Sequence, residues 1–410
     1  MRQILNQFKT EDWLAVGAGL LIMLLAIAMP GQMPVMPKSL ASWGAWQNIA
    51  LLIAGLFVIV YGAGKMLGRS TRGILPSLLV IFGIALAAQY VAGLPVVKNS
   101  TGLESVFFAV AFGLLISNTV GVPDWMRPAL QSEFYVKIGL VLLGTTVIFG
   151  EIMQAGALGL IQALVVVLCV WNFGYWVARK LGVDREMSTM LASAVSICGV
   201  SAAIATCGAI KGDSKKLSYV ISLVLVVAIP MMYGMPYLAM WMGLSPEVAG
   251  AWMGGTIDTT GAVVASGAVL GETAEQYSVI VKFSQNVLLG LAAFAISIYW
   301  SYAGKDHREK PTAGVLWERF PKFVLGFVLA SLVFSFAMPV ETAHRIGGVT
   351  KNLQGFFFAV AFVCIGLETR FKDIFNKDFK KPLWGFLIAQ GFNIVLTLIV
   401  AYLLFSHIGD

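Results

Sequence analysis

The sequence predicts an all-α polytopic membrane protein with about 11–13 transmembrane segments, two of them broken. Three observations predict it. Of 410 residues, 58% are hydrophobic and 12% charged, and the mean hydropathy is +0.83. A soluble domain carries about 25% charged residues. Apolar runs of about 18 residues or more, long enough to span a bilayer, recur along the whole chain. Two runs are interrupted midway by Gly, Ser and Thr, and one of these also holds an aspartate. The alternating segments of about 10 residues that mark a membrane β-barrel are absent.

Taken in order, the predicted spans are residues 13–29 and 49–64, a leading pair, then 75–92 and a shorter piece at 105–117. Residues 134–149 and 157–178 follow. The stretch 187–210 is apolar but interrupted, and 217–241 is long and carries Pro230 and Pro236. The second interrupted stretch is 248–270. Residues 277–302, 323–338, 356–367 and 383–405 complete the set. Residues 1–72 read as two additional N-terminal helices, and 73–410 as the core. The opening MRQILNQFKTEDW leads into an apolar run with no A-x-A site after it, which reads as a retained span rather than a cleaved signal.

The net charge is +7. Its distribution points to topology rather than to nucleic acid. The basic clusters are Lys65/Arg69/Arg72, Arg179/Lys180/Arg185, Lys305/Arg308/Lys310/Arg319 and Arg370/Lys372/Lys377/Lys380/Lys381. All fall on one side of the predicted spans, together with Arg2 and Lys9. That side should be the cytoplasm of a bacterial inner membrane, with the N-terminus inside. Lys211, Lys215 and Lys216 are the exception. Re-entrant hairpins at 187–210 and 248–270 would return them to the basic side. The 23 or 24 residues of each segment favour full crossing instead.

An inverted repeat is suggested by VLLGTTVIFGEI at 141–152 and VCIGLETRFKDI at 363–374, which sets Glu151 against Asp373. The predicted helices run in opposite directions, as in inverted-repeat transporters. FFAVAF at 107–112 and again at 357–362 competes with that alignment.

In the stretch GGTIDTTGAVVASG at 254–267, Ser245-Pro246-Glu247 reads as the start of the preceding helix. Gly254-Gly255 should weaken that helix, and Thr256, Asp258 and Thr259 are N-cap types for a second half. In ASAVSICGVSAAIATCG at 192–208, a break at Cys198-Gly199 would leave Ser201 near a new helix start, with Ser196 just before the break. Unwound backbone in a membrane belongs inside protein or beside a wet cavity. Two new N-termini meeting there would make an anion site without a cationic side chain. The alternative is that small residues merely let helices pack closely. Asp258 argues against it, because a mid-membrane aspartate costs about 2.5–3.5 kcal/mol on insertion scales. Lys282, in SVIVKFSQN, is its natural partner, or else a lysine snorkelling to the membrane face. Asn118, Lys137, Thr145, Thr146, Asn172, Gln390 and Asn393 read as helix–helix hydrogen bonds.

SICGVSAAIA, then GGTIDTTGAVVASG and VKFSQN, resemble the YeiH/TauZ family of sulfate exporters. The resemblance runs from about residue 73 to 405 and includes LISNTVG at 115–121. It implies sulfate or another sulfur oxyanion as substrate and a scaffold of crossed broken helices, as in sodium- and proton-coupled transporters. Where the family has histidine-glutamate, this chain has Asp258-Thr259, and Gln285 replaces a family arginine. The lysine is kept as Lys282. Specificity and coupling are therefore expected to differ from relatives.

These readings converge on a secondary transporter of a small inorganic or organic anion. Ser196, Cys198, Gly199, Ser201, Gly255, Thr256 and Thr259 are the expected substrate contacts, and Asp258 with Lys282 the ion-coupling pair. The second reading is a Na+/H+-type cation antiporter on a similar scaffold. The partners expected are the bilayer and the anion, with no nucleic acid and no cofactor beyond Na+ or H+ as coupling ion. A homo-oligomer is compatible with the sequence. Cys169, Cys198, Cys207 and Cys364 form no CxxC pair, so no disulfide framework or metal site is expected. His307, His344 and His407 lie in loops or at the C-terminus. With no HExxH, GxSxG or phosphate-binding loop, neither an enzyme nor a primary pump is expected.

Overall fold

The computed structural model describes residues 10–37, 42–94, 105–147, 149–303, 317, 320–369 and 380–407. The described residues form helices, and none of them is a strand. We number the α-helices in chain order: α1 Glu11–Ala28, α2 Trp43–Met66, α3 Ile74–Gly93, α4 Ser105–Thr119, α5 Ser132–Leu143, α6 Phe149–Lys180, α7 Arg185–Ser196, α8 Val200–Ile210, α9 Ser214–Trp241, α10 Pro246–Thr256, α11 Thr260–Leu270, α12 Glu272–Ala303, α13 Lys322–Phe336, α14 Val340–Glu368 and α15 Lys380–Phe405. Among the described residues eight helices are long and apolar enough to cross a membrane: α1, α2, α3, α6, α9, α12, α14 and α15. Exposed Leu51, Val58, Leu168 and Val395 are what a lipid-facing surface carries. Arg2, Lys9, Lys305, His307, Arg308, Lys310, Arg319, Arg370, Lys372, Asp373 and Lys377 lie outside the described residues, as does the Glu151 side chain.

The chain divides into two units. The first comprises Met1–Ile152 with Lys322–Thr369. Helix α1 is built into it by charge. Lys137 on α5 contacts Glu11 at 3.1 Å and Asp12 at 2.9 Å, and the Asp12 carboxylate also accepts from the Lys322 backbone N–H at the start of α13. Lys137 is thus an ion-pair centre rather than a simple helix–helix hydrogen bond. α4 and α14 touch backbone to backbone at Gly113 and Gly366, where a Cβ on Gly113 would lie 2.6 Å from the Val363 carbonyl oxygen. At the end of α14, Glu368 accepts from the Ser132 N–H at 3.2 Å and hydroxyl at 2.5 Å, capping the start of α5.

The second unit comprises Met153–Pro321 with Arg370–Asp410. Both interrupted segments are broken, and both are re-entrant hairpins rather than full crossings. For α7–α8 the decisive contact is at the base. Lys216, at the start of α9, sits 2.8 Å from Asp184 and 3.0 Å from Glu186, at the start of α7. A straight crossing would separate these residues by about the 30 Å of the hydrocarbon core. Arg185 also lies over the Tyr299 and Trp300 rings at the end of α12. This end of the unit therefore gathers Arg185, Lys211, Lys215 and Lys216. The lysines that broke the charge pattern rejoin the basic side.

The α10–α11 hairpin enters from the opposite end. Gly250 packs on Ala274 and Gly254 on Ser278, so α10 runs parallel to α12. Gly267 packs on Glu275, while Val263 receives the Ser278 hydroxyl, so α11 runs back. The length argument for full crossing fails because each segment is two rods of 11 or 12 residues, and one such rod reaches about 17 Å, half a membrane. The same geometry replaces the crossed broken helices that the resemblance implied. Hairpin α7–α8 followed by α9, and hairpin α10–α11 followed by α12, are two pieces of like design and opposite direction, as inverted repeats produce.

Local sequence explains each start and stop. Asp184, Ser245 and Thr259 cap α7, α10 and α11 through their side chains, and Pro246 opens α10. Gly199, at φ 59° and ψ −107°, makes the turn into α8. Gly254 and Gly255 do not unwind their helix, which continues to Thr256. Their role is close approach: a Cβ on Gly254 would overlap the Ser278 carbonyl, and one on Gly255 the Gln162 amide.

Candidate functional site

The two hairpin tips meet. A Cβ on Gly199 would stand 3.1 Å from both the Cβ and the carbonyl oxygen of Asp258, so one turn lies directly on the other. The last carbonyls of a helix lack intrahelical partners and carry its negative end. Five carbonyls at the two breaks receive a side-chain donor: those of Val195, Ser196 and Ile197 in the first hairpin, and of Gly255 and Thr256 in the second. The Asn393 amide donates to Val195 at 3.1 Å, Gln285 to Ser196 at 2.8 Å, and the Lys282 ammonium to Ile197 at 3.1 Å. Gln285 also donates to Gly255 at 3.1 Å, while Gln390 and Asn393 donate to Thr256 at 2.9 and 3.3 Å. Gln162 on α6 donates to Ala251 at 2.8 Å, and Thr397 donates to the Asn393 side-chain oxygen at 2.8 Å.

Lys282 is fully buried and gives a further bond to the Gln285 side-chain oxygen at 2.5 Å. Its charge serves the carbonyl end of α7. No hydrogen bond joins it to Asp258. Asp258 is 1% exposed, and neither carboxylate oxygen accepts a hydrogen bond from the protein. The Thr256 hydroxyl and the Gln390 side-chain oxygen are buried in the same condition. The Lys282 charge acts on Asp258 from nearby, but a buried carboxylate whose oxygens accept no hydrogen bond is still a costly arrangement.

The other expected contacts divide. Gly199, Gly255 and Thr256 are at the junction. The Ser196 hydroxyl turns back to Ser193 in its own helix. Cys198 packs with Ile197, Ala163, Val167 and Leu288. Ser201 is half-buried in the first turn of α8, whose start has no side-chain cap. Thr259 caps α11 through the Ala262 N–H at 3.4 Å. Of the two N-termini expected to face an anion, only that of α8 is therefore uncapped by a side chain. Gln162 and Thr397 are additions to the expected set. Gln390, Asn393 and Thr397 follow an i, i+3, i+7 spacing in an otherwise apolar helix, the one-face pattern that marks them as a group.

The family model described as Conserved hypothetical protein 698 matches residues 76–385. The chain belongs to that family. The match takes in both hairpins, Asp258, Lys282 and Gln285, and ends before Gln390 and Asn393. A UPF0324 membrane protein of Rhodopirellula baltica is 42% identical over 393 residues, covering 93% of this chain and 72% of the relative. Two UPF0324 membrane proteins of Nitratidesulfovibrio vulgaris are 37% and 38% identical, each alignment covering 87% of this chain and 63% of the relative. The chain thus spans less than two thirds of the length of these last two. No solved structure matches it. With eight candidate spans and relatives named as membrane proteins, the chain is a multi-pass membrane protein.

Proposed function

We propose that the chain is a secondary transporter that holds a small anion where the hairpin tips meet and couples its passage to H+ or Na+. Asp258 carries this reading: a buried carboxylate with both oxygens unpartnered, on a turn pressed against the turn of the opposite hairpin. Transporter sites form where discontinuous helices end near mid-membrane. The uncapped start of α8 offers the amides of Val200 and Ser201 and a positive dipole end to an anion. Asp258 repels that anion unless an ion neutralises it, so anion affinity depends on the coupling ion. The resemblance of SICGVSAAIA and VKFSQN to sulfate exporters supports a sulfur oxyanion as the substrate class.

The test is uptake of labelled sulfate and sulfite into proteoliposomes under imposed proton or sodium gradients. Asp258→Asn should fold and lose the gradient dependence. Full coupling in that variant would remove Asp258 from the mechanism.

A second reading has its own support. Lys282 gives hydrogen bonds to Ile197 and Gln285, which turns its ammonium towards the end of α7 rather than towards an anion. On that reading the protein is a cation–proton antiporter, and Asp258 binds the transported cation. Sodium efflux driven by a pH gradient without any added oxyanion would decide for it.

A further inference from the structure

We infer that the turn at the tip of the α10–α11 hairpin is a sodium site, with the Asp258 carboxylate, Thr256 Oγ1 and Gln390 Oε1 as ligands. This rests on the reading of Asp258 as the ion-coupling residue and names the ion.

The three side chains are 1–2% exposed, and each holds oxygen that makes no hydrogen bond to the protein. Thr256 and Asp258 flank Ile257 at the break, and Gln390 reaches it from α15. The Gln390 amide donates to the Thr256 carbonyl at 2.9 Å, two residues before Asp258. That bond fixes the amide plane and leaves Oε1, its other end, free of partners. A proton on Asp258 would supply one O–H and the Thr256 hydroxyl a second, which satisfy two acceptors between them. Four oxygens are orphaned here: two of the carboxylate, one hydroxyl and one amide. A hard cation takes several oxygens at once, and helix ends and unwound segments are where transporters bind sodium.

Charge selects the valence. The turn has one carboxylate and neutral oxygens with the Lys282 charge nearby, which leaves room for no more than a single further positive charge. Among the described residues no group of three or more His, Cys, Asp or Glu could hold a metal ion, which argues against a divalent one. Lys282 lends its charge to Asp258 but no hydrogen bond: its ammonium donates to Ile197 and Gln285, and the carboxylate oxygens stay without a donor.

Sodium alone is the probe. The purified full chain in detergent is heated in sodium chloride or choline chloride at constant ionic strength, and equilibrium binding of radiolabelled sodium is measured in parallel. Sodium should raise the unfolding temperature saturably over choline, and Asp258→Asn should lose both that rise and the binding. Thr256→Val keeps the shape and the backbone carbonyl that Gln390 and Asn393 need, so it serves even where Asp258→Asn fails to fold. It should weaken sodium binding about tenfold, the loss of one good ligand interaction. Equal stabilisation by choline, or unchanged sodium affinity in Thr256→Val, would overturn the site. Neither measurement involves an anion or a flux. A protein that binds sodium but carries no oxyanion keeps the site and loses the transport reading. One that carries oxyanion on a proton gradient without binding sodium does the reverse.

Discussion

Replacing Gly199 with alanine probes the contact between the hairpin tips. The backbone there, φ 59° and ψ −107°, lies outside the regions open to L-residues. Holding an alanine in such a conformation costs about 1–3 kcal/mol. The new methyl would also stand 2.6 Å from Val224 Cγ1 and 3.1 Å from the Asp258 Cβ and carbonyl oxygen. Val224 is on a packed helix and Asp258 on the opposing turn, so neither yields freely, and overpacking of this kind costs about 1–3 kcal/mol more. The expected loss is the sum, about 2–6 kcal/mol. Gly234→Ala on α9 is the control: nothing lies within 4 Å of its Cβ, and alanine in an open helix position gains about 0.5–1 kcal/mol. Both variants are unfolded by denaturant titration in mixed micelles and followed by circular dichroism. If Gly199→Ala falls within about 1 kcal/mol of the control, the tips do not press on one another as described.

The remaining expectations concern topology, the base of the first hairpin and the amide layer. In a cysteine-free background, Lys211→Cys and Glu272→Cys should react with an impermeant maleimide from opposite sides of the membrane; labelling from the same side would mean that the 248–270 segment crosses rather than folds back. Lys216→Ala should cost less than about 1 kcal/mol, because its pairs with Asp184 and Glu186 are partly exposed. Burial works against the charge on Asp184, but the hydrogen bonds from Lys216 and the Met187 N–H outweigh it and hold its carboxyl below the usual range. A folded-state value below the unfolded one means that the pairing contributes fully above about pH 4 and fades as the pH falls further. Unfolding midpoints of wild type and Lys216→Ala should therefore converge in acid, and a gap that persists unchanged would refute the pairing. Asn393→Leu removes donors from the Val195 and Thr256 carbonyls and the acceptor of Thr397. It should cost about 2–4 kcal/mol in the same titration, and a loss below 1 kcal/mol would mean that water covers those carbonyls equally well.

The sequence made the breaks legible because chain chemistry dictates them locally. Ser245-Pro246-Glu247 starts a helix wherever it stands, Thr259 is a good cap, and Gly199 supplies a turn other residues avoid. The direction of the chain after each break was not legible, since hydropathy reads the same for a rod that continues and one that folds back. Only the misplaced Lys211, Lys215 and Lys216 hinted at a return. The Gly254-Gly255 pair misled for a related reason: a glycine that permits close packing has the same letter as one that unwinds a helix. Gln390 and Asn393 were visible as polar residues in an apolar run, but their partners are main-chain carbonyls more than a hundred residues away, and no side-chain pattern announces those. Asp258 was conspicuous because a carboxylate in apolar text is costly without a purpose.

Gln285 and Asn393 each reach a carbonyl in both hairpins, Ser196 with Gly255 and Val195 with Thr256. Two amide groups thereby rivet the turns together. Prising one turn from the other would strip a main-chain acceptor from each amide, two in all, inside an apolar interior, a loss of about 2–6 kcal/mol. Exposure of Asp258 to one face of the bilayer and then the other is for that reason expected to come from the riveted pair travelling as cargo with α12 and α15, not from either turn swinging open like a gate.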